Sequence, residues 1–272
     1  MWLHPNHFVS CITDVYTDAY FNGTMHRQTG GKIGYPASFS NVMSSHRTTY
    51  YKSYVEQLSR LLNHEAYQRP RVLDFGCGYG NFLRVLHDRI SDVEVHGIEV
   101  DPTVRDRASS NLGGAPVYCV DLKQDNNTVP RNYFDVITLL DVIEHLDDPY
   151  QYLRNLAEYA RPQGYLLLST PNIESLNARI YRDNWVLHSP PLHMYYFGPR
   201  SLSILLARAG WQLTDFWTEC TIFHNERHGM ETWRGKLARF MFQNRISDVL
   251  TNRVIRIGSI MTVIARRSQL IK

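Results

Sequence analysis

The stretch Arg71-Val72-Leu73-Asp74-Phe75-Gly76-Cys77-Gly78-Tyr79-Gly80-Asn81 decides how this chain folds. Five residues of buried-strand character run into three glycines at alternate positions. Phe82, Leu83, Val85 and Leu86 then mark the apolar stripe of a helix. A strand, a glycine turn and a helix open an α/β unit in which the backbone passes close to a ligand. The spacing is Gly-x-Gly-x-Gly, and position 81 is Asn where a phosphate-cradling dinucleotide loop would carry Gly. Asp74 stands two residues before the first glycine, and an acid beside the loop suits a cationic ligand better than a pyrophosphate.

Working outward, the alternation repeats. Val93–Glu99, Val117–Val120, Phe134–Leu140 and Tyr165–Ser169 read as strands. Helices are expected from Asp101-Pro102, where a cap residue precedes a proline at the first position, and from about Pro149 to Ala160. The turn between that second helix and the fifth strand is placed at Pro162-Gln163-Gly164. Such alternation predicts a mostly parallel sheet covered by helices on both faces. Further on come a helix from Pro199 to Ala209, a strand from Trp211 to Trp217 and a last apolar strand from Ser259 to Ala265. Upstream, Tyr50, Tyr54, Leu58, Leu61 and Leu62 share one helical face, preceded by a polar, aromatic and irregular segment to about Ser45. Residues 1–68 are therefore expected to form a cap over the active site and residues 69–272 the ligand-binding domain. Residues 225–256 read as a basic amphipathic insertion before the last strand.

Ligands in such sheets bind beyond the carboxyl ends of the strands. Gly76–Gly80, Glu99, Asp121 and Asp141 follow strands one to four and are expected to converge on one crevice. Glu99 lies 19 residues beyond Gly80, where a carboxylate can accept both hydroxyls of a ribose. Asp121 is placed to take an adenine amino group. Capping of the next helix is the competing use for any one of these acids, but it hardly accounts for all of them together with the glycine loop.

Composition narrows the class. The 272 residues are 43% hydrophobic and 20% charged, as in an ordinary folded protein, and a net charge of +3 gives no reason to expect a nucleic-acid partner. Seventeen tyrosines are many, and Tyr16, Tyr20, Tyr35, Tyr50, Tyr51 and Tyr54 crowd the start. They suit either a pocket wall or the packing of a helical layer. Cys11, Cys77, Cys119 and Cys220 have no paired spacing, so neither a metal site nor a disulfide framework is expected. No basic segment followed by an apolar run opens the sequence and no stretch is apolar enough to span a bilayer, so a cytoplasmic protein is expected.

Val72–Gly80 resembles the first motif of class I S-adenosylmethionine-dependent methyltransferases. Phe134–Pro149, with Asp141, Glu144 and His145 inside it, is similar to the fourth-strand motif of the branch that includes ubiquinone-biosynthesis O-methyltransferases. Leu168–Asn172 and Pro191–Phe197 resemble bacterial members of sugar and natural-product pathways. The resemblance runs from about Arg71 to Trp217. It implies a Rossmann-like α/β fold whose seven-stranded sheet takes Ser259–Ala265 antiparallel between strand five and Trp211–Trp217. It also implies S-adenosylmethionine as cofactor. Asp74, Gly76 and Gly78 would hold the methionine portion, Glu99 the ribose, and Asp121 with Leu122 the adenine. The Leu140 backbone would face the cofactor amine beside Asp141, and Arg47 would meet its carboxylate. Cys77, Gly80 and Val100 complete the cofactor set. The implied reaction is methylation of a hydroxyl or an amine on a small-molecule acceptor, such as a sugar, a phenol or a carrier-linked intermediate.

Methyl transfer to a hydroxyl needs alignment and the removal of a proton. His145, one helical turn beyond Asp141, and His193, in the long aromatic connection after strand five, are the candidate bases. A structural role stays open for each. Tyr20, Tyr35, Trp185 and Tyr195 are the expected acceptor-side residues. From Asn225 to Lys272 ten basic residues stand against three acids, a net +7 that leaves the rest of the chain at −4. That segment serves either an acidic partner or only a solvated face. Two rivals remain: a nicotinamide-dependent oxidoreductase, and a binding module that keeps the cofactor pocket without catalysis.

Overall fold

A computed structural model describes residues 2–3, 37–65, 67–123, 127–185, 187–190, 192–219 and 258–268, with side chains from residue 51 onward. In chain order the elements are β1 (Trp2–Leu3), α1 (Ala37–His64), β2 (Arg71–Phe75), α2 (Asn81–His87), β3 (Glu94–Ile98), α3 (Pro102–Asn111), β4 (Val117–Tyr118), β5 (Phe134–Leu140), α4 (Pro149–Tyr159), β6 (Ala160–Pro171), α5 (Leu176–Tyr181), β7 (Tyr195–Tyr196), α6 (Pro199–Arg208), β8 (Trp211–Glu219) and β9 (Ile260–Arg267). Seven strands form one sheet in the order β4-β3-β2-β5-β6-β9-β8, and β1 pairs with β7 in a separate ribbon. The strands β2, β3, β4 and β5 run parallel, whereas β9 is antiparallel to both β6 and β8. This is the predicted topology, with the last strand inserted next to the edge.

Burial explains the order. Ile260–Ala265 is an unbroken buried run, as a strand flanked on both sides requires, while Gln212–Asp215 is exposed and suits the edge. In α2 the buried residues are Phe82, Leu83 and Leu86, and in α1 Tyr54, Leu58 and Leu62 are buried. The Asp101 side chain accepts from Thr103 N (2.8 Å) and Val104 N (2.9 Å), so it caps α3 as expected.

Three boundaries differ from the sequence reading. Helix α1 begins at Ala37, inside the segment expected to be irregular. Strand β4 has two residues rather than four. The expected turn at Pro162-Gln163-Gly164 is absorbed into β6, because Gln163 takes a left-handed φ of 63° within a continuous strand. A Cβ on Gly164 would lie 3.0 Å from the carbonyl oxygens of Arg161 and Phe134, which is why this kink carries glycine.

The chain divides into two compact units. One contains residues 10–138 and 158–164; the other contains 1–9, 139–157 and 165–272. Among the described residues no helix is long and apolar enough to cross a membrane. Tyr16–Tyr35 and the basic segment 225–256 lie outside the described residues.

Candidate active site

In the first unit the chain leaves β2 through Gly76, Gly78 and Gly80, whose φ angles are 74°, 53° and 75°. All three lie in the left-handed region that side chains disfavour, so the alternating glycines are a conformational requirement of this turn. The N–H groups of Gly76 and Cys77 both donate to Ile98 O (2.9 and 3.0 Å), tying the loop to the end of β3. Cys77 is buried there against Gly97, where an added Cβ would sit 2.6 Å from its sulfur. Burial, with Asp74 and Glu99 nearby, pushes the Cys77 thiol pKa well up, so it is packing rather than a reactive group.

Two buried carboxylates flank this loop. Asp74 Oδ1 accepts a 2.6 Å hydrogen bond from Thr138 Oγ1, across the strand register that sets the two residues opposite one another. Burial raises the Asp74 pKa to about 7, the Thr138 hydrogen bond opposing it and the Glu99 charge adding to it. Glu99 accepts from Gly78 N (3.0 Å) through Oε2, and from Val100 N (2.8 Å) and Asp101 N (3.2 Å) through Oε1. Burial still raises its pKa against these three donors. Glu99 thus braces the glycine loop as well as offering a carboxylate. Further along, Asp121 Oδ1 accepts from Lys123 N (3.0 Å) and Leu122 is buried.

The second unit holds the remaining described candidates. Leu140 is half-buried at the end of β5, and Asp141 follows with φ 55°. The Asp141 N–H donates to Ser169 O and Oγ (3.1 Å each), and Ser169 Oγ donates to Asp141 Oδ1 (3.0 Å). A 3-10 turn, Ile143–His145, then buries Glu144 and His145. Thr170 Oγ1 donates to Glu144 Oε2 (2.9 Å), and burial together with the Asp141 charge pushes the Glu144 pKa well up. His145 and His193 meet edge to face with ring centroids 4.7 Å apart. Nδ1 of His145 lies 2.8 Å from Leu192 O, and Nδ1 of His193 lies 2.7 Å from Leu187 O. A carbonyl only accepts, so each Nδ1 carries the proton and each Nε2 the lone pair. Burial lowers the His145 pKa well below its usual range, with His193 adding to it, and lowers His193 to about 4.

Other acceptor-side candidates are placed differently from the expectation. Trp185 is 2% exposed and packs with Ala178, Tyr181 and Tyr196, so its ring is core. The Tyr195 hydroxyl donates to Asp147 O (2.8 Å). Tyr20 and Tyr35 lie outside the described residues; Arg47 falls within α1, but its side chain lies outside them too. Sequence reasoning missed Thr138, Gly97 and Thr170. A lone hydroxyl in the apolar run Val136–Leu140 was the available signal for Thr138.

A mostly parallel sheet with an antiparallel final strand, whose first turn is a left-handed glycine loop between buried acids, defines a class of nucleoside-binding α/β proteins. Residues 43–215 match the family model described as a methyltransferase domain, which is more than half of the chain. The chain belongs to this family, and its fold is that of class I S-adenosylmethionine-dependent methyltransferases. It is 28% identical over 145 residues to a ubiquinone biosynthesis O-methyltransferase of Shewanella sp. (strain ANA-3), covering 50% of this chain and 61% of that protein. It is also 28% identical over 163 residues to a trans-aconitate 2-methyltransferase of Escherichia coli O139:H28, covering 56% and 60%. The chain thus spans less than two thirds of the length of these curated relatives. Among solved structures, a possible histamine N-methyltransferase from Thermotoga maritima superposes with a TM-score of 0.56 at 18% identity, covering 85% of this chain and 95% of that one. That likeness shows the fold.

Proposed function

We propose that the protein transfers a methyl group from S-adenosylmethionine to a hydroxyl oxygen of a small-molecule acceptor. The observation that carries this reading is the first unit's loop: three left-handed glycines between the buried carboxylates of Asp74 and Glu99. Burial raises the cost of ionising both carboxylates, and the Glu99 charge adds to it at Asp74, so a cationic ligand offsets that cost, whereas a pyrophosphate would meet repulsion. The donor set therefore fits S-adenosylmethionine. Asp74 and the glycine backbone hold its methionine portion, Glu99 its ribose, and Asp121 with Leu122 its adenine. That cofactor supplies a methyl group on a positively charged sulfur, already activated for in-line displacement.

On the acceptor side, Asp141, His145 and His193 form the working groups. The Nε2 lone pairs of the two imidazoles are the proton acceptors for a hydroxyl, and the carbonyls of Leu187 and Leu192 hold the rings in that tautomer. Tyr195 positions the chain around them. Oxygen as the acceptor atom is supported by the O-methyltransferase named among the relatives. The reading is tested by calorimetry with S-adenosylhomocysteine and with NAD, followed by a survey of hydroxyl acceptors for methyl transfer. Tight binding of the first ligand, none of the second, and transfer to oxygen are expected. Binding of NAD alone would reassign the protein to the oxidoreductases.

A further inference from the structure

In the second unit, Glu144, His145 and His193 each bring a donor atom to within 4.8 Å of the others. We propose that these three residues form a binding site for a divalent first-row transition ion such as Zn2+, held by His145 Nε2, His193 Nε2 and one oxygen of Glu144.

The supporting features are those of a built site. Both imidazoles give their Nδ1–H to main-chain carbonyls, Leu192 O at 2.8 Å and Leu187 O at 2.7 Å. Such a bond fixes the ring of a metal-ligating histidine and leaves Nε2 as the donor. Glu144 is held through its other oxygen, Oε2, by Thr170 Oγ1 at 2.9 Å, and its carbonyl accepts from Met194 N at 2.8 Å. That second bond ties the turn carrying Glu144 and His145 to the segment carrying His193. Glu144 Oε1 already lies 3.9 Å from His145 Nε2. Donors around a tetrahedral zinc ion sit roughly 3.3 Å apart, given bonds of about 2 Å. Closing the present spacing takes shifts of about 1 Å, within the reach of side-chain rotation. A buried carboxylate next to Asp141 is also a poor neighbour for two neutral imidazoles alone, and a divalent cation compensates it. Two nitrogens and one carboxylate suit Zn2+, Co2+, Mn2+ or Fe2+ and not Mg2+, which prefers oxygen ligands and retains water.

Three protein donors leave coordination positions open, and an oxygen ligand there would be polarised toward loss of its proton. This role rests on the proposed methyl transfer to a hydroxyl; the site itself does not. One lone pair serves either a proton or an ion, so with the ion bound His193 acts as a ligand and not as a base.

The test uses untagged full-length protein, stripped with chelator and titrated with Zn2+ and Co2+ by calorimetry and visible absorption. One-to-one saturable binding is expected, with no heat from Mg2+ at the same concentration. Folded His193→Ala and Glu144→Gln should each lose at least about 100-fold in Zn2+ affinity. The Co2+ complex of the unaltered protein should show two hyperfine-shifted, exchangeable imidazole N–H resonances, one for each Nδ1–H, a readout that depends on no variant. Absence of saturable binding, an unchanged affinity in both folded variants, or fewer than two such resonances would overturn the site. None of these failures would touch S-adenosylhomocysteine binding by the first unit, so the two readings fail separately.

Discussion

The glycine loop of the first unit and the histidine cluster of the second both place functional groups under main-chain control, but with opposite polarity. Around the loop, backbone N–H groups of Gly78, Val100 and Asp101 grip a carboxylate. In the cluster, backbone carbonyls of Leu187 and Leu192 grip two imidazoles. The first arrangement holds negative charge in a buried place and suits a cation. The second keeps two rings neutral with their lone pairs turned away from the carbonyls. Together they separate binding of a charged cofactor from handling of a proton or an ion.

The sharpest way to break this division is His193→Ala. It should cut methyl transfer by roughly two to four orders of magnitude against the best acceptor, the range of a lost acid–base group. S-Adenosylhomocysteine affinity should stay nearly intact. Equal losses in turnover and cofactor affinity would show that the two regions do not divide the work.

Asp74→Asn probes the other side through stability. The Asp74 pKa is about 7 in the folded protein against about 3.8 unfolded. The folded state therefore holds the proton more tightly, and the ligand-free protein loses stability as pH rises from about 4 to about 7. The groups facing Asp74 are Thr138, Glu99 and Cys77. Asp74→Asn should remove the Asp74 share of this slope, leaving that of Glu99 and Glu144, and raise stability above pH 7 by a few kcal/mol, at about 1.4 kcal/mol per pKa unit. Denaturant melts across pH 4 to 8 check it, and an undiminished slope in the variant would contradict the buried-acid account.

A smaller effect is expected from Gly97→Ala. Its Cβ would meet Cys77 Sγ at 2.6 Å and should cost about 1–3 kcal/mol by overpacking. Adding Cys77→Ala should restore most of that loss in urea unfolding, since the clash is with the sulfur. Thr138→Val is the mildest change. Loss of its 2.6 Å hydrogen bond should cost about 1–2 kcal/mol and move the Asp74 pKa further up, seen by carboxyl carbon NMR.

The same contrast explains what could be read from sequence. A left-handed turn forces glycine at positions 76, 78 and 80, and parallel strands buried on both faces need long apolar runs. These local demands leave a mark in every stretch, so the alternation of strands and helices and the glycine turn were readable, and the inserted last strand followed from the family resemblance. The cluster is different. The turn carrying Glu144 and His145, Thr170 of β6, and the connection carrying Leu187 and His193 are three separate stretches, and only tertiary packing brings them together. His145 and His193 were picked singly by their chemistry, while Glu144 and Thr170 stood inside motifs of the family resemblance with no role assigned to them. Trp185 shows the converse error. An aromatic in an irregular connection suggested a pocket wall, but the short helix α5 gives it Ala178 and Tyr181 to pack against, and it became core.

The central claim, that the first unit's glycine loop and its acids hold S-adenosylmethionine, is tested most directly by titrating S-adenosylhomocysteine into Glu99→Ala. Glu99→Gln serves as the shape-preserving control. Glu99→Ala should weaken binding by about 2–3 kcal/mol, the scale of hydrogen bonds to a charged group, with a smaller loss for Glu99→Gln. An unchanged affinity in a folded Glu99→Ala protein would contradict the account.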